Sequence, residues 1–242
     1  MMWFSYPLKV LLDLSTVAVA ENSNRSWVKI QSARTPIYDM RSSETGEKQL
    51  KPALLIVDMQ NDFVLPDAPA VIAGAYATVP RIREILGYFR QANLPVFHII
   101  RSYFSDGSNI EITRRNAFLS RPYAVPGTRG AEIIDGLTPV EGEIVITKPR
   151  FSGFFGTNLE KRLKGLGISQ VVICGTQYPN CIRATAFDAI SCDFSTTVIT
   201  DATSAATEEV AKANIHDMQY IGIHCLSFKG WVDRQKTARS DA

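Results

Sequence analysis

Three polar residues follow predicted strands of the sequence, and together they have the chemistry of nucleophilic catalysis. Asp58 ends the apolar run ALLIVD, Lys148 ends EIVITK, and Cys181 follows QVVICG where a helix begins. A helix N-terminus and a nearby cation both lower the pKa of a thiol, so we expect the pKa of Cys181 to lie below that of a free cysteine. Lys148 could supply the cation, and Asp58 could be the base that removes the thiol proton.

Each of these residues also has an ordinary interpretation when it is taken alone. Asp58 could be a turn or cap residue, Lys148 a solvated strand end, and Cys181 a buried and inert thiol. Ligands of open parallel sheets bind outside the carboxyl ends of the strands. The occurrence of all three residues at such ends therefore favours a catalytic site. The backbone amides of the loop TQYPNC could hold an oxyanion, which needs two donors.

The elements that position these residues alternate between strand and helix from residue 52 onward. Short, continuous apolar runs are typical of strands buried on both faces. The pattern predicts an α/β fold: a three-layer α/β/α sandwich on a six-stranded, mainly parallel, Rossmann-like sheet. The predicted strands are 53–58, 95–100, 143–148, 170–175, 196–200 and 221–226, and the predicted helices are 75–91, 158–167, 180–192 and one from a Ser204 cap to Tyr220.

Composition limits the function classes that fit the chain. It has 26 Lys and Arg, 24 Asp and Glu, and 45% hydrophobic residues, which is typical of a soluble globular protein. No basic block supports nucleic-acid binding, and no apolar run is long enough to span a bilayer. The four cysteines lack CxxC spacing and the three histidines lack HxH or HExxH patterns, which disfavours a disulfide framework and a zinc site. We therefore expect a cytoplasmic protein without a zinc site, and no other metal or cofactor is predicted.

The residue pattern of the N-terminal fifty residues differs from the regular strand and helix pattern that follows. We predict an N-terminal extension and linker over 1–50, followed by one domain over 51–242. The tripeptide 18–20 resembles a signal-peptidase site. However, Asp13 interrupts the apolar stretch, and few positively charged residues precede it. A cleaved signal is the alternative to an extension.

Three sequence blocks resemble the isochorismatase-like cysteine hydrolase family, which includes nicotinamidases, N-carbamoylsarcosine amidases and ureidoacrylate hydrolases. The blocks are LLIVDMQNDF, KPRFSGFFGTNLE and VVICGTQYPNCIRATAFDAI, and the likeness covers residues 50–230. The resemblance implies that Asp58 is the catalytic aspartate, Lys148 its lysine partner and Cys181 the nucleophile. It also implies a cis peptide at Thr176–Gln177, an oxyanion hole formed by the Gln177 and Cys181 amides, and a homo-oligomer, either a dimer or a tetramer.

The chain also departs from parts of this family. Nicotinamidases carry an Asp-x-His metal-ligand pair after the second strand, whereas Ser102 and Phe104 stand at the matching positions here. This difference disfavours a bound metal and nicotinamidase activity. Isochorismatases that cleave vinyl ethers lack the nucleophilic cysteine, so Cys181 favours hydrolysis of a carbon–nitrogen bond.

Residues beside the three blocks are candidates for substrate contacts. Asn180 could touch the substrate or cap the following helix. The substrate-binding candidates are Phe63, Phe151, Tyr178 and Asn180, and the candidates for anchoring a substrate carboxylate are Arg101, Arg114, Arg115, Arg121 and Arg150. Core positions are expected for Cys174, Cys192, Cys225 and His98.

The sequence therefore predicts a cysteine-dependent, metal-independent hydrolase of a small amide or carbamoyl substrate that acts through a thioester. Three alternatives stay open. The same fold could serve a non-catalytic binding or scaffold protein. The chain could hydrolyse a vinyl ether, or Cys181 could sense oxidants with Cys174 as its resolving partner.

Overall fold

The computed structural model describes residues 50–240, with side chains as far as residue 237. Its strands are β1 (Pro52–Val57), β2 (Val96–Arg101), β3 (Ile144–Lys148), β4 (Gln170–Gly175), β5 (Ser195–Thr203) and β6 (His224–Leu226). They form one six-stranded sheet in the order β3-β2-β1-β4-β5-β6. Every neighbouring pair is parallel, so the predicted α/β fold is confirmed.

Helices cover both faces of this sheet. The α-helices are α1 (Asn61–Val64), α2 (Ala75–Gln91), α3 (Arg115–Ser120), α4 (Leu159–Gly165), α5 (Arg183–Ser191), α6 (Glu208–Tyr220) and α7 (Phe228–Ser240). Helices α2 and α7 pack against one face, and α4, α5 and α6 pack against the other. Successive side chains of β1 enter the two cores alternately, so β1 is buried on both faces. This double burial explains why the strand appears in the sequence as a continuous apolar run.

The start of α6 differs from the sequence prediction. The N-cap is Thr207, whose hydroxyl accepts a hydrogen bond from the Val210 amide at 3.3 Å, and not Ser204. Ser204 is buried and bonds instead to the loop after β4: its hydroxyl lies 2.5 Å from that of Thr176, and its carbonyl accepts from the Tyr178 amide at 3.0 Å. The predicted cap residue therefore fixes the loop that precedes Cys181.

The C-terminal helix α7 was not among the predicted elements. Its Trp231 is 1% exposed and stacks on Phe89 of α2, with 5.4 Å between ring centroids. Phe228 stacks on the same indole at 6.2 Å. Helix α7 thus packs with α2 in the core on one face of the sheet.

The predicted extension lies almost entirely outside the described residues, which begin at Leu50, so the division at residue 50 stays a prediction. Within residues 50–240, no helix is both long and apolar enough to cross a bilayer.

Candidate active site

Two of the three predicted catalytic residues meet at the carboxyl edge of the sheet. Asp58 directly follows β1, and Lys148 is the last residue of β3. The Lys148 ammonium donates a hydrogen bond from Nζ to Asp58 Oδ2 at 2.8 Å. Both side chains are almost fully buried, at 0% and 3% exposure. A buried lysine and a buried carboxylate are each costly alone, so this contact offsets the free energy that burying each group costs.

The backbone and hydrogen bonds of Asp58 set the direction of its carboxylate. Its φ is 52°, in the left-handed region, and its amide donates to the Ile99 carbonyl at 2.8 Å. Whereas Oδ2 is bonded to Lys148, the buried Oδ1 has no hydrogen-bond partner among the described residues. One carboxylate oxygen is therefore fixed by the cation, and the other is not.

Cys181 lies in a short π-type helical turn, Tyr178–Ile182, which leads directly into α5. The turn begins at the N-cap Gln177, and no side chain caps it. Asn180 lies inside the turn, and its amide donates to the Gln177 carbonyl at 3.3 Å. The expectation that Asn180 caps the helix is therefore wrong, because the helical turns begin earlier than residue 180.

The loop before Cys181 depends on a close approach between two strands. Gly175 ends β4 with φ at 115°, and a Cβ there would lie 2.2 Å from the Val57 carbonyl oxygen. Only glycine fits such a position, because any side chain would overlap the backbone. The peptide bond Thr176–Gln177 is cis, at the place that the family resemblance implied.

Arg101 is the site residue that sequence reasoning did not distinguish from the other arginines. It is the last residue of β2, directly in register with Lys148 of β3. Its Nη2 donates to the Cys181 sulfur at 3.2 Å, and its Nε lies 3.5 Å from Asp58 Oδ2. The signal that could have found it is its position at a strand end beside the strand that carries Lys148.

Neighbouring side chains hold Arg101 in place. Its Nη1 donates to the Tyr103 hydroxyl and, at 2.9 Å, to Glu111 Oε1. The guanidinium lies 4.7 Å from the ring centroid of Phe151. Gln60 bonds twice to the Arg101 backbone, accepting from its amide at 2.7 Å and donating to its carbonyl at 2.9 Å.

The electrostatics of the thiol differ from the sequence expectation. Burial raises the pKa of Cys181, and the charge of Asp58 raises it further, while Lys148 and Arg101 act in the opposite direction. The expectation of a lowered pKa is therefore wrong, because the sulfur is buried beside a carboxylate. Burial lowers the pKa of Arg101, but the charges of Cys181, Asp58 and Glu111 outweigh it and raise that pKa overall.

The profile of the isochorismatase domain matches residues 52–229. The chain belongs to the isochorismatase family. It is 46% identical in sequence to a solved isochorismatase family protein from Desulfovibrio vulgaris, with a TM-score of 0.74 over 76% of this chain and 97% of that one. The family resemblance predicted from the sequence blocks is thereby confirmed, and so is the expectation of an isochorismatase-like hydrolase.

Two further relatives carry more specific names. The chain is 41% identical to a probable inactive nicotinamidase from Arabidopsis thaliana over 192 residues, covering 78% of this chain and 98% of that protein. It is 31% identical to a maleamate amidohydrolase from Pseudomonas putida over 192 residues, covering 78% and 88%.

The predicted pocket residues do not all reach the cluster. Phe151 contacts Arg101, and Tyr178 is 1% exposed in the same core as Cys181. Phe63 belongs to the other core, where it packs edge-to-face on Tyr123 with 5.6 Å between centroids. The roles of these three residues and of Asn180 in substrate binding stay predictions.

The remaining cysteines occupy positions that differ from that of Cys181. Cys174 is fully buried in the core beneath α2 and α7, on the opposite face of the sheet from Cys181, and burial raises its pKa. Burial also raises the pKa of Cys225 to about 12. Since Cys174 and Cys181 lie in different cores, the arrangement gives no support to Cys174 as a resolving thiol.

The described residues contain no counterpart, at the corresponding positions, of the metal-ligand pair of the family's nicotinamidases. Ser102 and Phe104 occupy the corresponding positions, and Phe104 is 59% exposed. Within the part of the chain that the structure describes, no group of three or more His, Cys, Asp and Glu side chains is placed to hold a metal ion. The residues present do not fit the metal, so no step of the chemistry below is assigned to one.

Proposed function

We propose that the protein is a cysteine-dependent amidohydrolase that cleaves a small amide or carbamoyl compound through a thioester on Cys181. The observation that carries the proposal is the buried cluster in which Lys148 contacts Asp58 at 2.8 Å and Arg101 contacts the Cys181 sulfur at 3.2 Å. This cluster combines a nucleophile, a base and two cations. The name of the Pseudomonas putida relative, an amidohydrolase, supports the same reaction class.

The proposed reaction begins with transfer of the thiol proton to Asp58. The free Oδ1 receives this proton while Oδ2 stays bonded to Lys148. The Cys181 sulfur then attacks the substrate carbonyl, and the backbone amides of Gln177 and Cys181 stabilise the oxyanion. Asp58 returns the proton to the departing nitrogen, so that ammonia or an amine leaves and a thioester remains.

The second half of the reaction uses the same carboxylate as a base. Asp58 takes a proton from water, the hydroxide oxygen attacks the thioester carbonyl, and the carbon–sulfur bond breaks to release the acid. The proton then returns to Cys181 and restores the starting state. The raised pKa of Cys181 fits this cycle, because the sulfur holds its proton until substrate arrives.

The substrate we propose is an amide other than nicotinamide. The name of the Arabidopsis relative concerns nicotinamidase activity in that protein, and the chain described here lacks the expected metal-ligand types at residues 102 and 104. Vinyl ether hydrolysis and a purely binding role are the alternatives: the first predicts turnover that does not need Cys181, and the second predicts no turnover at all.

A panel of small amides, ureido acids and N-carbamoyl compounds, assayed for release of ammonia or amine, tests the proposal. We expect turnover with at least one compound and a loss of more than about 10³-fold in Cys181→Ala. Cys192→Ala is the matched control, since Cys192 caps the far end of α5 and should retain full turnover. Mass spectrometry of quenched enzyme should find the acyl group on Cys181. Turnover that survives in Cys181→Ala would exclude the thioester route.

The homo-oligomer, the cytoplasmic location and the absence of nucleic-acid binding stay predictions from the sequence. Light scattering on the full chain would distinguish a monomer, a dimer and a tetramer.

A further inference from the structure

Arg101, and not Lys148, is the cation in hydrogen-bond contact with the Cys181 sulfur. The Lys148 ammonium directs hydrogen bonds to Asp58 Oδ2 at 2.8 Å and to the Arg150 carbonyl at 3.2 Å. Arg101 Nη2 instead points at the sulfur, at 3.2 Å. The two cations of the site thus have different partners, although both sit at the ends of neighbouring strands.

The guanidinium distributes its donors among three anionic or ionisable groups. Nη2 faces the Cys181 sulfur, Nε faces Asp58 Oδ2, and Nη1 bonds to Glu111 Oε1 at 2.9 Å. A planar guanidinium has fixed donor directions, so the three contacts determine its orientation together. Lysine carries one point charge on a flexible stem and cannot reproduce this arrangement.

We propose that Arg101 stabilises the Cys181 thiolate during the reaction, and that Glu111 positions Arg101 from the loop after β2. This inference rests on the proposed function, because the thiolate forms in that reaction. A donor that already points at the sulfur before ionisation needs no reorganisation when negative charge develops there. Arg101 is therefore a catalytic residue in contact with the reacting atom, and Glu111 acts through it.

Glu111 is suited to this positioning role by its location. It lies directly before a 3₁₀ turn (Ile112–Arg114), and its side chain is 11% exposed. Besides Arg101, its carboxylate accepts from the Tyr103 hydroxyl at 3.2 Å. The loop that carries Glu111 is thereby connected to the nucleophile through a single guanidinium group.

The test measures alkylation of Cys181 by iodoacetamide as a function of pH, with the labelled peptide quantified by mass spectrometry. The midpoint of the profile is the criterion, because a change in steric access scales the rate at every pH and leaves the midpoint unchanged. The midpoint should move to higher pH in two variants. One is Arg101→Lys, and the other is the charge-balanced double variant Arg101→Gln with Glu111→Gln. The rate near neutral pH should then fall on the order of tenfold for each unit of the shift.

The positioning role of Glu111 is tested by a conservative pair of variants. Glu111→Gln keeps an acceptor for Nη1, whereas Glu111→Ala does not. Both remove the same charge, so a higher midpoint in Glu111→Ala than in Glu111→Gln isolates the hydrogen bond. Equal midpoints in the two variants would exclude positioning by Glu111.

Arg114→Gln is the matched control. Arg114 also approaches Glu111, at 3.8 Å, and lies 5.6 Å from the centroids of both Phe151 and Tyr123, but no hydrogen bond joins it to the sulfur. Its profile should match the wild type.

Wild-type midpoints in folded Arg101→Lys and in the double variant would overturn the role of Arg101. That outcome is distinct from failure of the proposed function, which the ammonia-release panel and Cys181→Ala report independently.

Discussion

Asp58 shows at the scale of one residue how the site separates two tasks. Oδ2 bonds to Lys148 and lies 3.5 Å from Arg101, so one oxygen is held by two cations. Oδ1 is buried and has no hydrogen-bond partner among the described residues. The charge of the same carboxylate raises the pKa of Cys181. Burial is the larger cause of the raised pKa and Asp58 adds to it, so both favour the protonated thiol, and in the proposed mechanism Asp58 is also the acceptor for its proton.

Asp58→Asn should change hydrolysis and alkylation in opposite directions. The amide cannot accept the proton, so we expect turnover on an accepted substrate to fall about 10²–10⁴-fold. The negative charge beside the sulfur disappears, so the alkylation midpoint of Cys181 should move to lower pH. Asparagine tolerates the left-handed backbone at this position, so the fold should persist.

Asp62→Asn is the control for this prediction. Asp62 is also buried, and its Oδ2 accepts a hydrogen bond from the Ala124 amide at 2.7 Å, a contact that the asparagine oxygen can retain. Neither the turnover nor the alkylation midpoint should change there. Slower alkylation of Cys181 in Asp58→Asn would contradict the assigned electrostatics.

The positions of Asp58 and Cys181 could be predicted because each follows a strand that is buried on both faces, β1 or β4, and that of Lys148 because it ends the recognisable apolar strand β3. Arg101 and Glu111 could not be assigned in this way. The role of Arg101 depends on the lateral register of β2 against β3, and that of Glu111 on the path of an irregular loop. Neither feature leaves a periodic pattern in the sequence.

At the scale of elements, strands were easier to predict than the loops that join them. The continuous apolar runs of β1 and β4 fix their identity, since both faces are covered. Helix starts depend on which hydrogen-bond partner a polar side chain finds, and tertiary contacts determine that partner. Ser204 looks like a cap in sequence, yet its partner is Thr176 on the neighbouring loop.

Gly175→Ala tests whether the contact between β1 and β4 builds the site. A Cβ at this residue would lie 2.2 Å from the Val57 oxygen, and φ is 115°. We expect the free energy of unfolding to fall by more than about 2 kcal/mol. Turnover should also fall, because Val57 precedes Asp58 and Gly175 leads to Cys181. Denaturant titration and the hydrolysis assay measure the two effects.

Gly87→Ala provides the same substitution in an open environment. Gly87 lies within α2, and a Cβ there would meet nothing within 4 Å. Since alanine favours a helix interior over glycine, this variant should gain about 0.5–1 kcal/mol of stability. If Gly175→Ala were as stable as the wild type, the close approach of β1 and β4 would not constrain the site.

At the scale of the whole molecule, one buried polar network ties the edge of the sheet to a helix. Glu143 directly precedes the edge strand β3, and its carboxylate accepts from Arg90 of α2 at 2.7 Å and from His98 Nε2 of β2 at 2.8 Å. Burial raises the pKa of Glu143, but these hydrogen bonds outweigh it and lower that pKa overall. Burial lowers the pKa of His98, so the folded protein favours the neutral imidazole.

The stability of the protein should therefore decrease on mild acidification. His98 has a lower pKa in the folded than in the unfolded chain, so the unfolded state binds more protons as the pH falls below about 6.5. The contribution of neutral His98 is complete above that pH and is lost as the pH falls, by up to about 1.4 kcal/mol for each unit of the difference in pKa.

Urea titrations between about pH 7.5 and 5.5 measure this slope, with the window set by the unfolded pKa of histidine. His98→Gln should reduce the slope but not abolish it, because burial also lowers the pKa of His224. His216→Gln, at an exposed position of α6, should keep the slope. An unchanged slope in His98→Gln would mean that acid sensitivity arises outside this network, and the lowered pKa of His98 would then have no measurable effect on folding.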